Sequence, residues 1–144
     1  MKYLVIISLA LLGLDASAQT QKNLTVNCRI KSGDEPISYA RVVIKSKSGK
    51  TIESLTNDTA GYAEFYFDFD LLRDVWFEAD NHQTKIIRFD TRHVPGTEQE
   101  WGYEYGGFLV NLAPGNDSIP PAPIVVIKYD TNIENFQHEL IEEK

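Results

Sequence analysis

Apolar and polar residues alternate along the chain between residues 24 and 112, with the period of two that is typical of half-buried β-strands. The first alternating segment, LTVNCRI, spans residues 24–30. Similar patterns recur in six later segments: Ser38–Lys47, Thr51–Thr56, Tyr62–Phe67, Val75–Ala79, Thr84–Phe89 and Gly107–Leu112. Clusters of Gly, Pro, Asn and Asp separate these segments, as expected of tight turns. Because no stretch keeps a helical period over three turns, the pattern predicts an all-β chain, with at most one helical turn at residues 70–73.

The number and spacing of these segments predict a particular class of all-β fold. Seven short strands separated by turns at intervals of roughly 8–12 residues are typical of a β-sandwich. A single sheet would leave one face of every strand in water, whereas two facing sheets bury the alternate apolar residues against each other. We therefore expect a seven-strand antiparallel β-sandwich.

The N-terminal segment predicts an exported protein. Residues 1–18 combine Lys2, an apolar stretch over residues 3–14, and a small-x-small site that ends at Ala18. This order is typical of a secretory signal peptide, and the apolar stretch is shorter than the ~20 residues of a membrane span. We expect a mature protein without a membrane span, soluble in the periplasm or outside the cell.

The composition changes after residue 112. Residues 114–123 are rich in proline, which fixes the backbone and removes a hydrogen-bond donor, so they indicate an extended linker. The next segment, IVVIKY at residues 124–129, predicts a strand that pairs with an edge of the sandwich or with a partner. The acidic residues 130–144 are compatible with a short helix or a disordered tail. The predicted organisation is a signal peptide (1–18), a sandwich domain (19–113), a linker (114–123) and a C-terminal strand with an acidic tail (124–144).

Charge and cysteine content narrow the classes of partner. The 144 residues carry a formal net charge of −7, which disfavours nucleic acid and anionic membranes, since both attract basic patches. The chain has one cysteine and cannot form an internal disulfide. Cys28 falls on the apolar face of the first segment, where we expect a buried thiol; an intermolecular disulfide or a reactive thiol is the alternative.

Few residues offer catalytic or metal-binding chemistry. The three histidines fall in a turn, a loop and the tail, without the spacing of metal ligands: His82, His93 and His138. Gly-rich phosphate loops and nucleophile elbows are absent from the sequence. We therefore predict a protein without a cofactor or metal that is not an enzyme.

Two acidic segments leave alternatives open. Residues 68–74 (DFDLLRD) could hold calcium near Asp68 and Asp70, although the glycine and bidentate glutamate of a loop-type site are missing. The glutamates within residues 98–104 could serve glycoside hydrolysis, but nothing in the sequence sets their separation. A solvated turn is the favoured interpretation of the first segment.

The segment WGYEYGGF, residues 101–108, is the richest local feature. Trp101, Tyr103 and Tyr105 alternate, so a strand would place three rings on one face. Such rings can cover the end of the core, contact a partner protein or stack on a sugar. The candidate binding residues are therefore Trp101, Tyr103, Tyr105 and Phe108.

Two turn motifs resemble those of the carboxypeptidase regulatory-like domain, a transthyretin-like (prealbumin-like) seven-strand sandwich of secreted bacterial proteins. Residues 35–42, EPISYARV, resemble the family's G-x-P-I-x-x-A-x-V turn, with its first glycine displaced to Gly33. Residues 57–65, NDTAGYAEF, resemble its T-D-x-x-G-x-F-x-F turn, with Asn57 in place of the threonine. Later stretches, residues 85–95, 101–108 and 123–130, are similar to secreted proteins of Bacteroidetes-type bacteria. The resemblance implies a fold and no catalytic group.

Together these features predict a non-enzymatic, exported β-sandwich module with a structural or protein-binding role in a bacterial cell envelope. Its partner would be another envelope protein, contacted through residues 101–108 and through strand 124–129, which could add to a sheet edge. The alternative is a carbohydrate-binding module with Trp101, Tyr103 and Tyr105 as its aromatic platform.

Overall fold

The structure, a computed structural model, describes residues 23–141, which contain ten β-strands and one four-residue helix. The strands are β1 (Leu24–Ser32), β2 (Glu35–Pro36), β3 (Arg41–Ser46), β4 (Thr51–Thr56), β5 (Tyr62–Phe67), β6 (Leu72–Glu78), β7 (Lys85–Asp90), β8 (Tyr103–Asn111), β9 (Pro123–Asp130) and β10 (Asn135–Leu140), and the helix is α1 (Gly96–Gln99). The predicted signal peptide lies outside the described residues. Between residues 23 and 141, no helix is long and apolar enough to cross a membrane.

The first sheet is built around β1. One edge of β1 pairs in parallel with β8, and the other pairs antiparallel with β5 and then with the short β2. Every second residue of β1 is buried, because its apolar face packs against the second sheet and its backbone is hydrogen-bonded on both edges.

The second sheet has six strands in the order β10-β9-β7-β6-β3-β4. All neighbours in it are antiparallel except β7 and β9. The two sheets face each other across one hydrophobic core with phenylalanines at its centre. The ring centroid of Phe67 lies 4.9 Å from that of Phe89 and 5.5 Å from that of Phe65.

The β-sandwich class is as predicted, but the strand count and the purely antiparallel pairing are not. Two pairs, β1–β8 and β7–β9, run parallel. Alternation has the same period in parallel and antiparallel strands, so it could not reveal these pairs. The two-residue β2 is too short to show a period, and only Phe136 is buried in β10.

The two strands after residue 112, β9 and β10, belong to the second sheet. β9 lies between β7 and β10, so both of its edges are already paired. Of the two expected alternatives, the structure shows pairing with the sandwich, and it leaves no free edge of β9 for a partner's sheet. β10 occupies part of the acidic segment for which a helix or a disordered tail was expected, and its pairing with β9 accounts for the strand conformation.

The helical turn expected at residues 70–73 is also misplaced. Leu72 and Arg73 are part of β6, which begins three residues before the predicted Val75. Asp70 adopts a positive φ of 64°, and its backbone N–H donates to the carbonyl of Thr91 at 3.0 Å. This bond holds the chain in an irregular turn before β6.

A β-bulge in β8 changes which of its residues face the core. Gly106 and Gly107 together oppose the single residue Asn27 of β1. The bulge shifts the alternation by one residue, so odd-numbered side chains point inward before it and even-numbered ones after it. Both the tyrosines of β8 and its later residues Phe108 and Val110 therefore contribute to one interior face.

We expect Gly61→Ala to destabilise the protein by about 3 kcal/mol or more, and Gly49→Ala by only about 1–2 kcal/mol. Both glycines have a φ of +88°, so both substitutions carry the same conformational cost. A Cβ at residue 61 would also lie 2.6 Å from the carbonyl oxygen of Ile30, whereas one at residue 49 would meet nothing within 4 Å. Urea denaturation of the two variants measures the difference, and equal losses would contradict the close approach of β5 to β1.

Candidate functional site

The structure distributes the four candidate binding residues over two environments. Trp101 follows α1, lies outside β8 and is 77% exposed. Tyr103, Tyr105 and Phe108 lie in β8 with half-buried side chains that pack against the core. Trp101 makes no aromatic stacking contact within residues 23–141.

Tyr103 is part of an interior aromatic cluster. Its ring centroid lies 5.5 Å from those of Tyr129 and Phe136 and 6.4 Å from that of Phe69, all in edge-on arrangements. Its hydroxyl donates to Glu98 Oε2 at 3.0 Å. The pKa of Tyr103 is raised mainly because its side chain is desolvated, and the hydrogen bonds to Tyr129 and Glu98 raise it further. This side chain ties the α1 turn and β8 to the second sheet.

Tyr105 and Phe108 form a second, smaller contact beside the bulge. Their ring centroids are 5.4 Å apart, and the Tyr105 hydroxyl lies 3.5 Å from His138 Nδ1 of β10. Burial raises the pKa of Tyr105. The geometry therefore favours the interpretation that the rings of β8 cover the end of the core, and it does not bring Trp101 into one platform with them.

The acidic segment at residues 68–74 does not converge on a common point. Asp74 accepts two hydrogen bonds from Arg88, at 2.8 and 3.0 Å. The Asp70 carboxylate instead faces the side-chain amide of Gln99 at 3.3 Å, and the backbone carbonyl of Asp68 accepts from Thr91. Within residues 23–141, no group of three or more His, Cys, Asp or Glu side chains is placed to hold a metal ion.

The outer face of the second sheet carries charged side chains that pair with each other. Asp74 and Arg88 form a two-point ion pair, and Lys128 on β9 pairs with Glu139 on β10. Lys45 Nζ lies 3.5 Å from the ring centroid of Trp76 and covers that aromatic side chain. Such a surface satisfies its own charges and is typical of a solvated face.

The outer face of the first sheet exposes two tyrosines and a leucine. We call it the outer tyrosine face, and its outward-pointing residues are Thr25, Asn27 and Arg29 on β1, Tyr62, Glu64 and Tyr66 on β5, and Glu104 and Leu109 on β8. Tyr62, Tyr66 and Leu109 are 55%, 44% and 58% exposed, respectively. Tyr62 and Tyr66 are four residues apart on one strand, which corresponds to about 13 Å.

Polar contacts hold the side chains of this face in place. The Arg29 guanidinium lies 5.2 Å from the ring centroid of Tyr62, within the range of a cation–π interaction. Asn27 donates to Glu104 Oε1 at 2.9 Å, and the Tyr66 hydroxyl donates to Glu64. The glycines of the bulge leave a shallow cavity of about 220 Å³ between Tyr62, Arg29 and Leu109. The face is thus an ordered surface that exposes Tyr62 and Tyr66 and has a shallow cavity beside the bulge.

Sequence reasoning missed this face because it followed the apolar alternation of β5. The buried residues Ala63, Phe65 and Phe67 account for that alternation. The signal for the outer face was the identity of the intervening residues, since two of the three outward positions of β5 are tyrosine rather than a small or charged residue.

Comparison with known proteins identifies no family for the chain. A scan against protein-family models finds no match, so the carboxypeptidase regulatory-like resemblance of the two turns has no support there, and no curated protein matches the sequence either. Among solved structures, the Bacillus anthracis TIE protein matches 64% of this chain and 17% of its own length, at 13% identity and a TM-score of 0.49. The group B streptococcus pilus 2b backbone protein matches 63% of this chain and 41% of its own length, at 9% identity and a TM-score of 0.41.

A third similar structure is a mercury-inhibited catechol 1,2-dioxygenase from Acinetobacter, which matches 88% of this chain and 52% of its own length, at 12% identity and a TM-score of 0.38. This chain therefore spans less than two thirds of each of the three proteins. With TM-scores below 0.5, none of these similarities transfers a function to it.

We expect Tyr103→Ala to lower the free energy of unfolding by about 3 kcal/mol, because it removes a ring that contacts three other aromatic residues. Trp101→Ala should change it by less than about 0.5 kcal/mol, since that side chain is exposed. Thermal denaturation of both variants tests the assignment. A large loss for Trp101→Ala would mean that its ring packs in the folded protein.

We expect the Cys28 thiol to resist alkylation in the native protein. Burial raises its pKa to about 12, so the reactive thiolate is scarce at pH 8, and the residue is only 2% exposed. Iodoacetamide should label the protein in guanidinium chloride and leave the folded protein unlabelled over the same time, as mass spectrometry would show. Equal labelling in both states would favour the reactive-thiol alternative.

Proposed function

We propose that this protein is a non-enzymatic binding module, exported to a bacterial cell envelope, that holds another envelope protein against the outer tyrosine face. The observation that carries the proposal is the joint exposure of Tyr62, Tyr66 and Leu109 on one outward surface. The secretory pattern of residues 1–18 supports export, and the resemblance of the turn motifs to a secreted bacterial family supports the compartment.

The composition of the outer tyrosine face suits a protein partner. Tyrosine and arginine are enriched among the residues that dominate binding at protein interfaces, and both occur here side by side as Tyr62 and Arg29. Their mutual contact orders them before any partner arrives, which reduces the entropy lost on binding. The acidic residues Glu64 and Glu104 lie in the same surface and favour a partner with basic or hydrogen-bond-donating groups opposite them.

The alternative function, carbohydrate binding by Trp101, Tyr103 and Tyr105, gains less support from the geometry. Tyr103 and Tyr105 use their rings in contacts with Tyr129, Phe136 and Phe108, so they offer little free surface for stacking.

The double variant Tyr62→Ala/Tyr66→Ala should weaken partner binding at least about tenfold, because each substitution removes a large contact side chain. The partner would first be identified by mild crosslinking of the tagged mature protein in its own cell envelope, and affinity would then be measured with the two purified proteins. Both tyrosines point into solvent, so the double variant should melt within a few degrees of the wild type.

Ile52→Ala serves as the matched control, because it removes a side chain of similar exposure, 52%, from β4 of the other sheet. This control should bind as the wild type does. An unchanged affinity of the double variant, or recovery of glycan without protein, would contradict the proposed contact.

A further inference from the structure

The loop between β2 and β3 holds an aromatic residue in a backbone conformation that disfavours it. Tyr39 has a φ of 60°, in the left-handed region that an L-residue with a large side chain rarely adopts, while its side chain is 69% exposed. The ring therefore contributes little to packing in the folded protein. Glycine would occupy this position without strain, so the fold alone does not explain a tyrosine here.

The side chain of Asn57 clamps the backbone on both sides of Tyr39. Its Nδ2 donates to the carbonyl of Ile37 at 2.7 Å, and its Oδ1 accepts from the backbone N–H of Ala40 at 2.9 Å. The backbone N–H of Asn57 also donates to the carbonyl of Ala40 at 3.1 Å. Asn57 is buried, so these three hydrogen bonds form in a low-dielectric environment and fix the loop firmly.

A polar cavity of about 300 Å³ adjoins Tyr39. The β6–β7 turn forms its other wall, and the side chains that carry its charge and hydrogen-bonding groups are Arg41, Glu78, Asp80 and His82. This wall is also held in place. Gly115 N–H donates to the carbonyl of Asn81 at 2.8 Å, and Gln83 N–H donates to the carbonyl of Ala113 at 2.8 Å.

The polar groups of the cavity are only partly used inside the protein. Arg41 directs both Nε and Nη2 to the same carboxylate oxygen, Glu78 Oε2, at 3.3 and 3.0 Å. Within residues 23–141, Glu78 Oε1 has no hydrogen-bond partner. His82 Nδ1 lies 2.8 Å from the carbonyl oxygen of Asp80, which leaves its Nε2 for a further contact. The cavity thus presents donors and acceptors together.

We infer that this cavity is a saccharide-binding site, with the Tyr39 ring as its stacking surface and Arg41, Glu78 and Asp80 as partners for sugar hydroxyl groups. A hydroxyl both donates and accepts, so it suits a site that mixes a guanidinium with carboxylates. A pyranose ring has an apolar face that packs flat on an exposed aromatic ring, and the remaining polar edge then points to the charged wall. The volume suits one sugar residue of a longer chain.

Two other ligand classes fit the cavity less well. An anionic ligand would meet Glu78 and Asp80 against the single guanidinium of Arg41, and a cation would meet that guanidinium. A protein segment would require a broad apolar surface around Tyr39, whereas the neighbouring wall is mainly polar. The inferred site is separate from the outer tyrosine face and does not depend on the proposed protein contact.

The test is a binding screen of the mature protein against neutral polysaccharides: chitin, mannan, amylose and laminarin. The affinity for soluble oligomers of the best binder is then measured by calorimetry. Tyr39→Gly and Tyr39→Ala should both weaken that affinity at least about tenfold, whereas Tyr39→Phe, which keeps the ring, should bind within about twofold of the wild type. Glu78→Gln should also weaken binding, since it replaces an acceptor oxygen with a donor.

Stability measurements separate loss of the site from loss of the fold. Tyr39→Gly should melt several degrees above Tyr39→Ala, because only glycine adopts the left-handed conformation freely. Tyr62→Ala, on the outer tyrosine face, should bind saccharide as the wild type does.

The inference would be overturned if the wild type bound none of the four polysaccharides at millimolar sugar, or if a folded Tyr39→Gly protein kept the wild-type affinity. It would also be overturned if the Tyr39 variants bound saccharide normally and lost only the crosslinking to an envelope protein. The last would reassign the loop to a protein contact.

Discussion

The close approach of β5 to β1 at Gly61 is the constraint on which the first sheet depends. The backbone N–H of Ile30 donates to the carbonyl of Gly61 at 2.8 Å, and no side chain fits between the two strands at that point. The carbonyl of Ile30 accepts in turn from the N–H of Ile37, so β2 continues the same edge of β1. Ile30 of β1 therefore contacts both the residue that precedes β5 and the residue that follows β2.

The other edge of β1 imposes a different requirement. β8 pairs with it in parallel over eight residues of β1. The core-facing side chains of β8 are odd-numbered near its start, as at Tyr103, and even-numbered near its end, as at Val110. Gly106 and Gly107 solve this conflict by forming the bulge, because one extra residue reverses the alternation. The same bulge leaves a shallow cavity beside Tyr62 and Leu109 on the outer tyrosine face, so a feature required by the core also shapes the exterior.

Sequence periodicity located most strands because their alternate residues are buried in a two-layer core. It could not find β10, in which Phe136 is the one buried residue, or the parallel partners of β1 and β7, since strand direction leaves no trace in the period. The segment at residues 101–108 was singled out for its aromatic content, yet burial of Tyr103 depends on Phe69, Tyr129 and Phe136, which come from distant parts of the chain. Tyr39 escaped notice because the turn motif tolerates any residue at its position, and strain becomes visible only in the backbone angles.

The turn at residues 57–61 links the two surfaces to which we assign binding. At one end Asn57 fixes the loop that carries Tyr39, and at the other the Asp58 carboxylate accepts from the N–H groups of Ala60 and Tyr62, which sets the start of β5. Arg29 of the outer tyrosine face also donates to the carbonyl of Ala60 at 3.2 Å. Tyr39 and Tyr62 are therefore both positioned by this one hydrogen-bonded turn, which gives the two surfaces a common rigid support.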